Sequence, residues 1–245
     1  MLRYAVRSDV GSSRETNEDA TYAGSRLLAV ADGMGGHTHG EVASATAVAA
    51  LAPLDDNVST SDLLDGLERA TQMANERLRH MADTNPAMQG MGTTLTAIRW
   101  DGDRLAAVHV GDTRAYLLRD GDLEQLTRDH TLVQALIDDG HISPDEAATH
   151  PHRALLLHAL DGHQQLNPDL FVREAHVGDR YLLCSDGLSD ALSPDTLRAT
   201  LQKEESPDRV AEQLVRLANS SGSRDNITGI VADLVDTTDQ GRRVN

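Results

Sequence analysis

Acidic residues recur where short apolar runs begin or end along this chain of 245 residues. Each of four places joins one such run to one aspartate: Leu28–Ala31 to Asp32, Val108–Gly111 to Asp112, Leu182–Ser185 to Asp186, and Ile227–Val231 to Asp225. Glu18 and Asp19 follow the first predicted strand in a loop. Apolar runs bounded by turn residues are typical of buried strands. A sheet that aligned their ends would therefore place these carboxylates in one cleft.

Clustered carboxylates repel one another and are costly to remove from water, so they stay close together only beside a cation. Oxygen ligands without thiolates favour Mg²⁺ or Mn²⁺, which retain several waters. Two such ions can share a carboxylate and activate a water between them as a nucleophile at neutral pH. An Asp-Gly pair alone indicates only a turn, and spacing alone does not establish that the carboxylates converge.

Predicted strands occur in runs, with helices between the runs. The predicted strands are Arg3–Ser8, Leu27–Ala31, Thr93–Trp100, Arg104–Val110, Arg114–Arg119, Leu123–Leu126, Phe171–Glu174, Tyr181–Ser185 and Asn226–Val235. The predicted helices are Glu41–Leu51, Ser61–Ala82 with Ser61 as N-cap, Pro194–Gln202 and Pro207–Asn219. This order favours an α+β fold with two antiparallel sheets over a parallel doubly wound sheet.

One continuous catalytic domain over residues 1–236 is the simplest organisation, because the sequence contains no repeat and no low-complexity linker. Residues 131–163 are predicted to form a flap on the sheet, with two short helices at Leu132–Asp139 and Pro144–Thr149. Residues 237–245 are expected to form a polar tail. Four histidines near the end of the flap match no zinc-ligand spacing: His150, His152, His158 and His163.

Composition narrows the classes of partner. A phosphate backbone attracts positive charge, whereas this chain carries a net charge of -17. Aromatic residues, on which bases stack, make up only 2%. Nucleic acid is therefore not an expected partner. Cys184 is the single cysteine, which excludes an internal disulfide and a thiolate metal cage. No apolar run approaches the ~18 residues that span a bilayer, and no signal peptide is visible. We expect a complete, cytoplasmic, monomeric protein that does not enter membranes.

Read together, the motifs resemble the metal-dependent protein phosphatase family (PPM, type 2C) in its compact bacterial form. The matching stretches, in family order, are Ser8–Gly11 with Arg14, Asn17–Ala20, Val30–His37, Gly90–Leu95, Val110–Arg114, Ser185–Leu188 and Arg224–Thr228. They extend from Ser8 to about Val231, which is nearly the whole chain. The resemblance implies a four-layer α-β-β-α sandwich, in which two antiparallel sheets are flanked by helices and the metal ions lie at one edge.

The resemblance also implies a role for each candidate metal ligand. Asp32 would bridge two Mn²⁺ or Mg²⁺ ions, with the Gly33 carbonyl in the same coordination shell. Asp186 and Asp225 would bind the ions directly. Glu18 and Asp19 would act largely through metal-bound water. Asp112 would help to hold a weaker third ion.

Arginine and histidine complete the implied catalytic set. Arg14 is the candidate phosphate clamp, because a guanidinium group offers two donors to two phosphate oxygens. Arg114 and Arg224 are expected to pair with neighbouring carboxylates instead. Met34 stands where some family members have a histidine that protonates the leaving alkoxide. Methionine cannot donate a proton, which leaves His37, three residues further on, or metal-bound water as the general acid.

The function implied is hydrolysis of phosphoserine and phosphothreonine in phosphorylated proteins, without a phosphoenzyme, in opposition to serine/threonine kinases. One alternative is a non-catalytic regulator with the same fold. Such proteins usually lack a metal carboxylate, whereas Asp32, Asp186 and Asp225 are all present. Another alternative is an enzyme of this fold that acts on one dedicated signalling phosphoprotein.

Overall fold

Two antiparallel sheets form the centre of the structure. The computed structural model describes residues 1–35, 39–56, 63–163 and 166–236. One sheet has the order β1 (Leu2–Asp9), β11 (Ile227–Leu234), β10 (Arg180–Cys184), β7 (Arg114–Arg119) and β8 (Asp122–Gln125). The other has the order β2 (Asp19–Ala23), β3 (Leu27–Met34), β5 (Leu95–Trp100), β6 (Arg104–Val110) and β9 (Asp169–Glu174), and the short β4 (Gly92–Thr93) pairs with the end of β3.

The helices cover the outer faces of the sheets. The helices are α1 (Gly40–Leu51), α2 (Leu63–Thr84), α3 (Leu132–Asp138), α4 (Pro144–Ala148), α5 (Asp186–Ser189), α6 (Pro194–Leu201) and α7 (Pro207–Ser220). The long helices α1 and α2 pack on the sheet that contains β3, and α6 and α7 pack on the sheet that contains β11. None of the helices in the described ranges combines the length and apolar character that crossing a bilayer requires.

Alternation of side chains along the strands explains the layers. Successive side chains of a strand point to opposite faces of the sheet. In β3, Leu27 and Ala29 are buried against α1 and α2, whereas Leu28 and Val30 are buried between the two sheets. β3 is therefore apolar on both faces, as is expected for a strand in an inner layer.

The same alternation occurs in the other sheet. In β10, Leu182 and Cys184 pack against the helical layer of α6 and α7, whereas Tyr181 and Leu183 enter the core between the sheets. Aliphatic residues and alanine supply nearly all of this core, in keeping with an aromatic content of 2%. The predicted α+β sandwich is thus confirmed.

Two local predictions differ from the structure. Asp19 begins strand β2 and does not lie in a loop. The stretch 19–23 contains no large aliphatic residue, which explains its weak strand signal, yet it pairs along its whole length with β3. The predicted strand Thr93–Trp100 is divided at Thr94, whose backbone N–H turns to the carbonyl of Asp32 at 2.9 Å. The predicted N-cap Ser61 and the predicted tail 237–245 lie outside the described residues.

Truncation of a side chain in the central core is expected to destabilise the fold strongly. Leu183 is fully buried between the sheets, so Leu183→Ala should lower the free energy of unfolding by about 2–5 kcal/mol. Val177 is 67% exposed, and Val177→Ala should change it by no more than about 0.5 kcal/mol. Urea denaturation of both variants measures the difference, and equal losses would contradict the layer assignment.

Candidate metal and active site

Two carboxylates face each other across the β2–β3 ladder. Asp19 is the direct strand partner of Asp32 in this antiparallel pair. Like charges directly opposite each other in a sheet are destabilising. A positive charge nearby would therefore stabilise this pair of carboxylates at the edge of the sheet.

One cleft gathers most of the predicted site residues. Its volume is about 220 Å³. The predicted site residues that line it are Arg14, Glu18, Asp32, Gly33, Asp112, Asp186 and Asp225. Asp19 does not line this cleft but lies directly behind it, opposite Asp32 in the ladder. His37 lies outside the described residues. The carboxylates do converge, and their individual roles remain predictions.

Hydrogen bonds from the neighbouring strand hold Asp32 in place. The backbone N–H of Asp32 donates to Thr94 Oγ1 at 3.0 Å. The carbonyl of Asp32 accepts from the backbone N–H of Thr94 and from Thr93 Oγ1, each at 2.9 Å. Thr93 and Thr94, at the break between β4 and β5, thus hold the backbone of Asp32 in place.

Asn226 anchors the loop that carries Glu18 and Arg14. Its side-chain amide donates to the carbonyls of Val10 at 2.9 Å and Thr16 at 3.0 Å, and its Oδ1 accepts from the backbone N–H of Glu18 at 2.8 Å. Sequence reasoning assigned this asparagine no role. The signals were its place directly after Asp225, at the start of an apolar strand, and its inclusion in the matching motif Arg224–Thr228.

Ser185 links the carboxylates of the two sheets and was also missed. Its hydroxyl donates to Asp19 Oδ2 at 2.9 Å and accepts from the backbone N–H of Thr228 at 3.0 Å. The residue that follows it is Asp186. One hydroxyl therefore connects β2 in one sheet with β11 and the loop after β10 in the other.

Gly33 is required by close packing of backbones. A Cβ at this position would lie 2.2 Å from the carbonyl oxygen of Gly40 and 2.6 Å from that of Glu18. Its own N–H donates to the Glu18 carbonyl at 3.1 Å. Any side chain here would push α1 and the Glu18 loop away from the cleft.

The segment 131–163 forms one wall of the cleft through Ala154 and Leu156. It returns to the sheet where Leu160 and Thr93 exchange two backbone hydrogen bonds, at 2.8 and 2.9 Å. Within it, α4 begins with a capping box made by Ser143 and Glu146. The wall is thus tied to the strand next to Asp32.

The electrostatics of the cleft favour protonated carboxyls in the absence of a cation. Burial raises the pKa of Asp32 well above its usual range, and repulsion from the neighbouring aspartates adds to this effect. Burial likewise raises the pKa of Asp19 to about 6, of Asp112 to about 7 and of Asp186 to about 8, and nearby carboxylates contribute in each case. Shifts of this kind mark sites that hold a positive charge or perform acid–base chemistry.

The donor set fits a hard divalent cation. Asp19 Oδ1 and Asp186 Oδ1 are buried and have no hydrogen-bond partner. Unpaired buried carboxylate oxygens are costly, and a metal ion or its bound waters would satisfy both. No three His, Cys, Asp or Glu side chains in the described part of the chain form a ready-made cage around one ion. Mg²⁺ and Mn²⁺ do not require one, because they retain several waters beside one or two carboxylates.

Arg14 lies at the edge of the cleft and donates to Asp225 Oδ2 at 2.7 Å. Half of its side chain is exposed, so the guanidinium also faces solvent. The hydrogen bond to Asp225 is the main reason why the pKa of Arg14 is raised. This position is compatible with a cation that exchanges a carboxylate for a phosphate group.

Arg114 and Arg224, which were both predicted to pair with neighbouring carboxylates, differ in their ion pairs. Arg114 donates to both carboxylate oxygens of Asp129 at 2.6–3.0 Å, as predicted. Arg224 is exposed and makes no ion pair with any residue in the described ranges, contrary to the prediction. It lines a second cleft, which adjoins the first and shares Arg14, Asp186 and Asp225 with it.

Cys184 and His109 are structural. Cys184 is fully buried, and burial raises its pKa to about 12. His109 is buried as well; its ring nitrogens lie 2.8 Å from Thr96 Oγ1 and 3.0 Å from the carbonyl of Arg128. Burial lowers the pKa of His109 to about 4, so the imidazole is neutral. Neither side chain is available to a substrate.

Comparison with known proteins identifies the family. The sequence model of the protein phosphatase 2C family matches residues 12–230. The chain belongs to the protein phosphatase 2C family. The resemblance seen in the motifs is thereby confirmed.

Relatives in this family are serine/threonine phosphatases. The chain is 53% identical to the serine/threonine protein phosphatase PstP of Mycobacterium tuberculosis, over 96% of this chain and 46% of that protein. It is 36% identical to the serine/threonine phosphatase stp of Listeria monocytogenes, over 96% of this chain and 97% of that protein. The chain thus spans about half the length of PstP and nearly the full length of stp.

A solved structure of the PstP catalytic domain in complex with two manganese ions superposes on this chain with a TM-score of 0.91. The sequences are 52% identical, and the match covers 96% of this chain and 99% of the other. Two Mn²⁺ ions thus occur in a protein of the same fold at high identity. The all-oxygen donor set of the present cleft agrees with such ions.

Removal of metal is expected to make stability depend on pH. Asp19, Asp112 and Asp186 have folded-state pKa values of about 6, 7 and 8, above the value of an unfolded aspartate. An acid with a raised folded pKa contributes stability that is present below its unfolded pKa and is lost as pH rises through its folded pKa. The Tm of chelator-treated protein should therefore fall between about pH 5 and about pH 8.

The matched measurement is the same thermal scan with saturating Mn²⁺. Divalent ions bind deprotonated carboxylates, so the increase in Tm caused by Mn²⁺ should grow over the same pH interval. An increase in Tm that stays constant from about pH 5 to about pH 8 would show that these aspartates do not bind the ion.

Proposed function

We propose that the protein hydrolyses phosphoserine and phosphothreonine esters in other proteins and so reverses the action of serine/threonine kinases. The observation that carries the proposal is the convergence of Asp32, Asp186 and Asp225 on one cleft with Arg14 at its edge. Retention of all three carboxylates argues against a non-catalytic regulator. The names of PstP and stp support serine and threonine as the side chains that carry the phosphate.

Asp32, Asp186 and Asp225 would hold two Mn²⁺ or Mg²⁺ ions, with Asp112 contributing to a third. Glu18 and Asp19 would orient water around them, and the Gly33 carbonyl would face the same space. Bound in this way, the ions would supply positive charge for the phosphoryl oxygens and lower the pKa of a water that bridges them.

Hydrolysis would proceed in one step. A water molecule gives up one proton as its oxygen forms the new bond to phosphorus. The bond from phosphorus to the serine or threonine oxygen breaks, and the serine or threonine oxygen gains one proton, so the proton count balances. Two side chains near the cleft in the described part of the chain are unsuited as the nucleophile of a two-step route: Cys184 is buried with a raised pKa, and Ser185 is engaged with Asp19 and Thr228. Direct attack by water therefore fits the site better than a phosphoenzyme.

Arg14 would hold the phosphate in line for this attack. Its guanidinium can leave Asp225 and meet two phosphoryl oxygens, which keep their negative charge throughout the reaction. Met34 lines the cleft but has no proton to give. The proton for the leaving oxygen then comes from His37 or from water.

Loss of one metal carboxylate should abolish turnover. Asp186→Asn removes a charge from the cleft, so Mn²⁺-dependent hydrolysis of an aryl phosphate should fall by at least about 100-fold in kcat/KM. Asp195→Asn, at a 92% exposed position on α6, should retain full activity. Near-normal turnover by Asp186→Asn, in protein with an unchanged Tm, would exclude the proposed ligand set.

Arg14 should act mainly on substrate binding. Arg14→Ala is expected to raise KM for a phosphothreonine peptide by about 10-fold with a smaller change in kcat, because it removes interactions with the phosphate in both ground and transition states. Arg14→Lys retains the charge but loses the paired donors, so its KM should lie between that of the wild type and that of Arg14→Ala. A wild-type KM in Arg14→Ala would remove this residue from the site.

A further inference from the structure

A second, wider cleft continues from the candidate active site. Its volume is about 720 Å³, and it shares Arg14, Asp186 and Asp225 with the smaller cleft. Because the two spaces share walls, a polypeptide whose phosphorylated side chain reached Asp186 and Asp225 would lie with its neighbouring residues in the wider cleft. The chemistry of these walls therefore bears on which sequences the site accepts.

Three arginines line this wider cleft: Arg14, Arg153 and Arg224. Arg224 is exposed and forms no ion pair with any described residue. Arg153 is also exposed and comes from the 131–163 segment, which is far in sequence from the loop that carries Arg224. Two guanidinium groups are thus available to a bound partner, in addition to Arg14 at the phosphate.

Two of the carboxylates on the same walls, Asp190 and Asp225, already have positive neighbours, and the third, Asp186, is a candidate metal ligand. Asp225 accepts from Arg14 at 2.7 Å, and Asp190 lies 3.6 Å from Arg114. Arg153 further favours the charged form of Asp190. Arginines with spare hydrogen-bonding capacity on these walls favour an anionic partner locally, although the chain as a whole carries a net charge of -17.

We propose that the wider cleft binds the residues that flank the phosphorylated serine or threonine, and that Arg153 and Arg224 favour glutamate and aspartate among them. A guanidinium group meets a carboxylate with two parallel donors, which suits an acidic side chain on an extended peptide. This inference rests on the proposed function and specifies its substrate class as acidic phosphoprotein segments. It assigns Arg153 and Arg224 to substrate selection and not to the chemical step.

The test compares two phosphothreonine peptides of equal length with the Mn²⁺-loaded protein. One peptide has glutamate on both sides of the phosphothreonine, and the other has glutamine at the same positions. The wild type should prefer the glutamate peptide by about 3- to 10-fold in kcat/KM, the range of partly exposed ion pairs. The preference should shrink as salt concentration rises, because exposed charges are screened.

Replacing each arginine by glutamate tests which residue causes the preference for the glutamate peptide. Arg153→Glu and Arg224→Glu should each reduce the ratio of kcat/KM for the glutamate peptide to that for the glutamine peptide, to about one or below. The control is Arg209→Glu, an equal change of charge at an exposed position in the first turn of α7. That variant should retain the wild-type ratio.

The outcomes separate this inference from the proposed function. The inference would be overturned if the wild type showed a kcat/KM ratio of glutamate to glutamine peptide near one. It would also be overturned if both Arg153→Glu and Arg224→Glu left that ratio unchanged. In either case, hydrolysis of both peptides would still uphold the proposed function. Failure of the wild type to hydrolyse the peptides and an aryl phosphate would overturn the proposed function and the inference with it.

Discussion

Repulsion between partly buried carboxylates is the constraint on which this structure depends. Asp19 and Asp32 face each other across two paired strands, and Asp112, Asp186 and Asp225 approach from other loops. In water these charges would separate, but here the strands and loops hold them together. The fold stores an unfavourable arrangement that a divalent cation relieves, and this makes metal binding and the stability of the cleft parts of one equilibrium.

The sandwich is what makes this arrangement possible. Apolar residues on both faces of β3 and β10 bury these strands in inner layers, and the rigid strands present their ends at one edge. Around that edge, polar groups are used to restrain loops: Thr94 holds Asp32, Ser185 joins Asp19 to β11, and Asn226 holds the Glu18 loop. A site that needs accurate placement of charges is thus supported by neutral hydrogen-bonding groups.

Much of the fold could be predicted from local patterns, because apolar strands end at turn residues, whereas the convergence of the carboxylates on one cleft was implied only by the resemblance of the ordered motifs to a known family. The rest had no such pattern. Strand β2 contains no large aliphatic residue and is defined only by its pairing with β3. The side chain of Asn226 contacts residues more than 200 positions away, and Ser185 contacts Asp19 across 166. Arg224 was expected to be a structural partner because sequence shows a charge but not which neighbours surround it.

The pairing of β1 with β11 has a consequence for how the protein is made. Strand β1 pairs along its full length with β11, the last strand in the described part of the chain. Asn226, directly before β11, fixes the loop that follows β1. A growing polypeptide on the ribosome therefore lacks the strand between β1 and β10, and the anchor for that loop, until residues 226–234 have been synthesised. Chains that stop before Asp225 would expose the edge of β10 and carry scattered aspartates, so the cleft can neither hold metal nor act on a phosphoester before this late segment has been added.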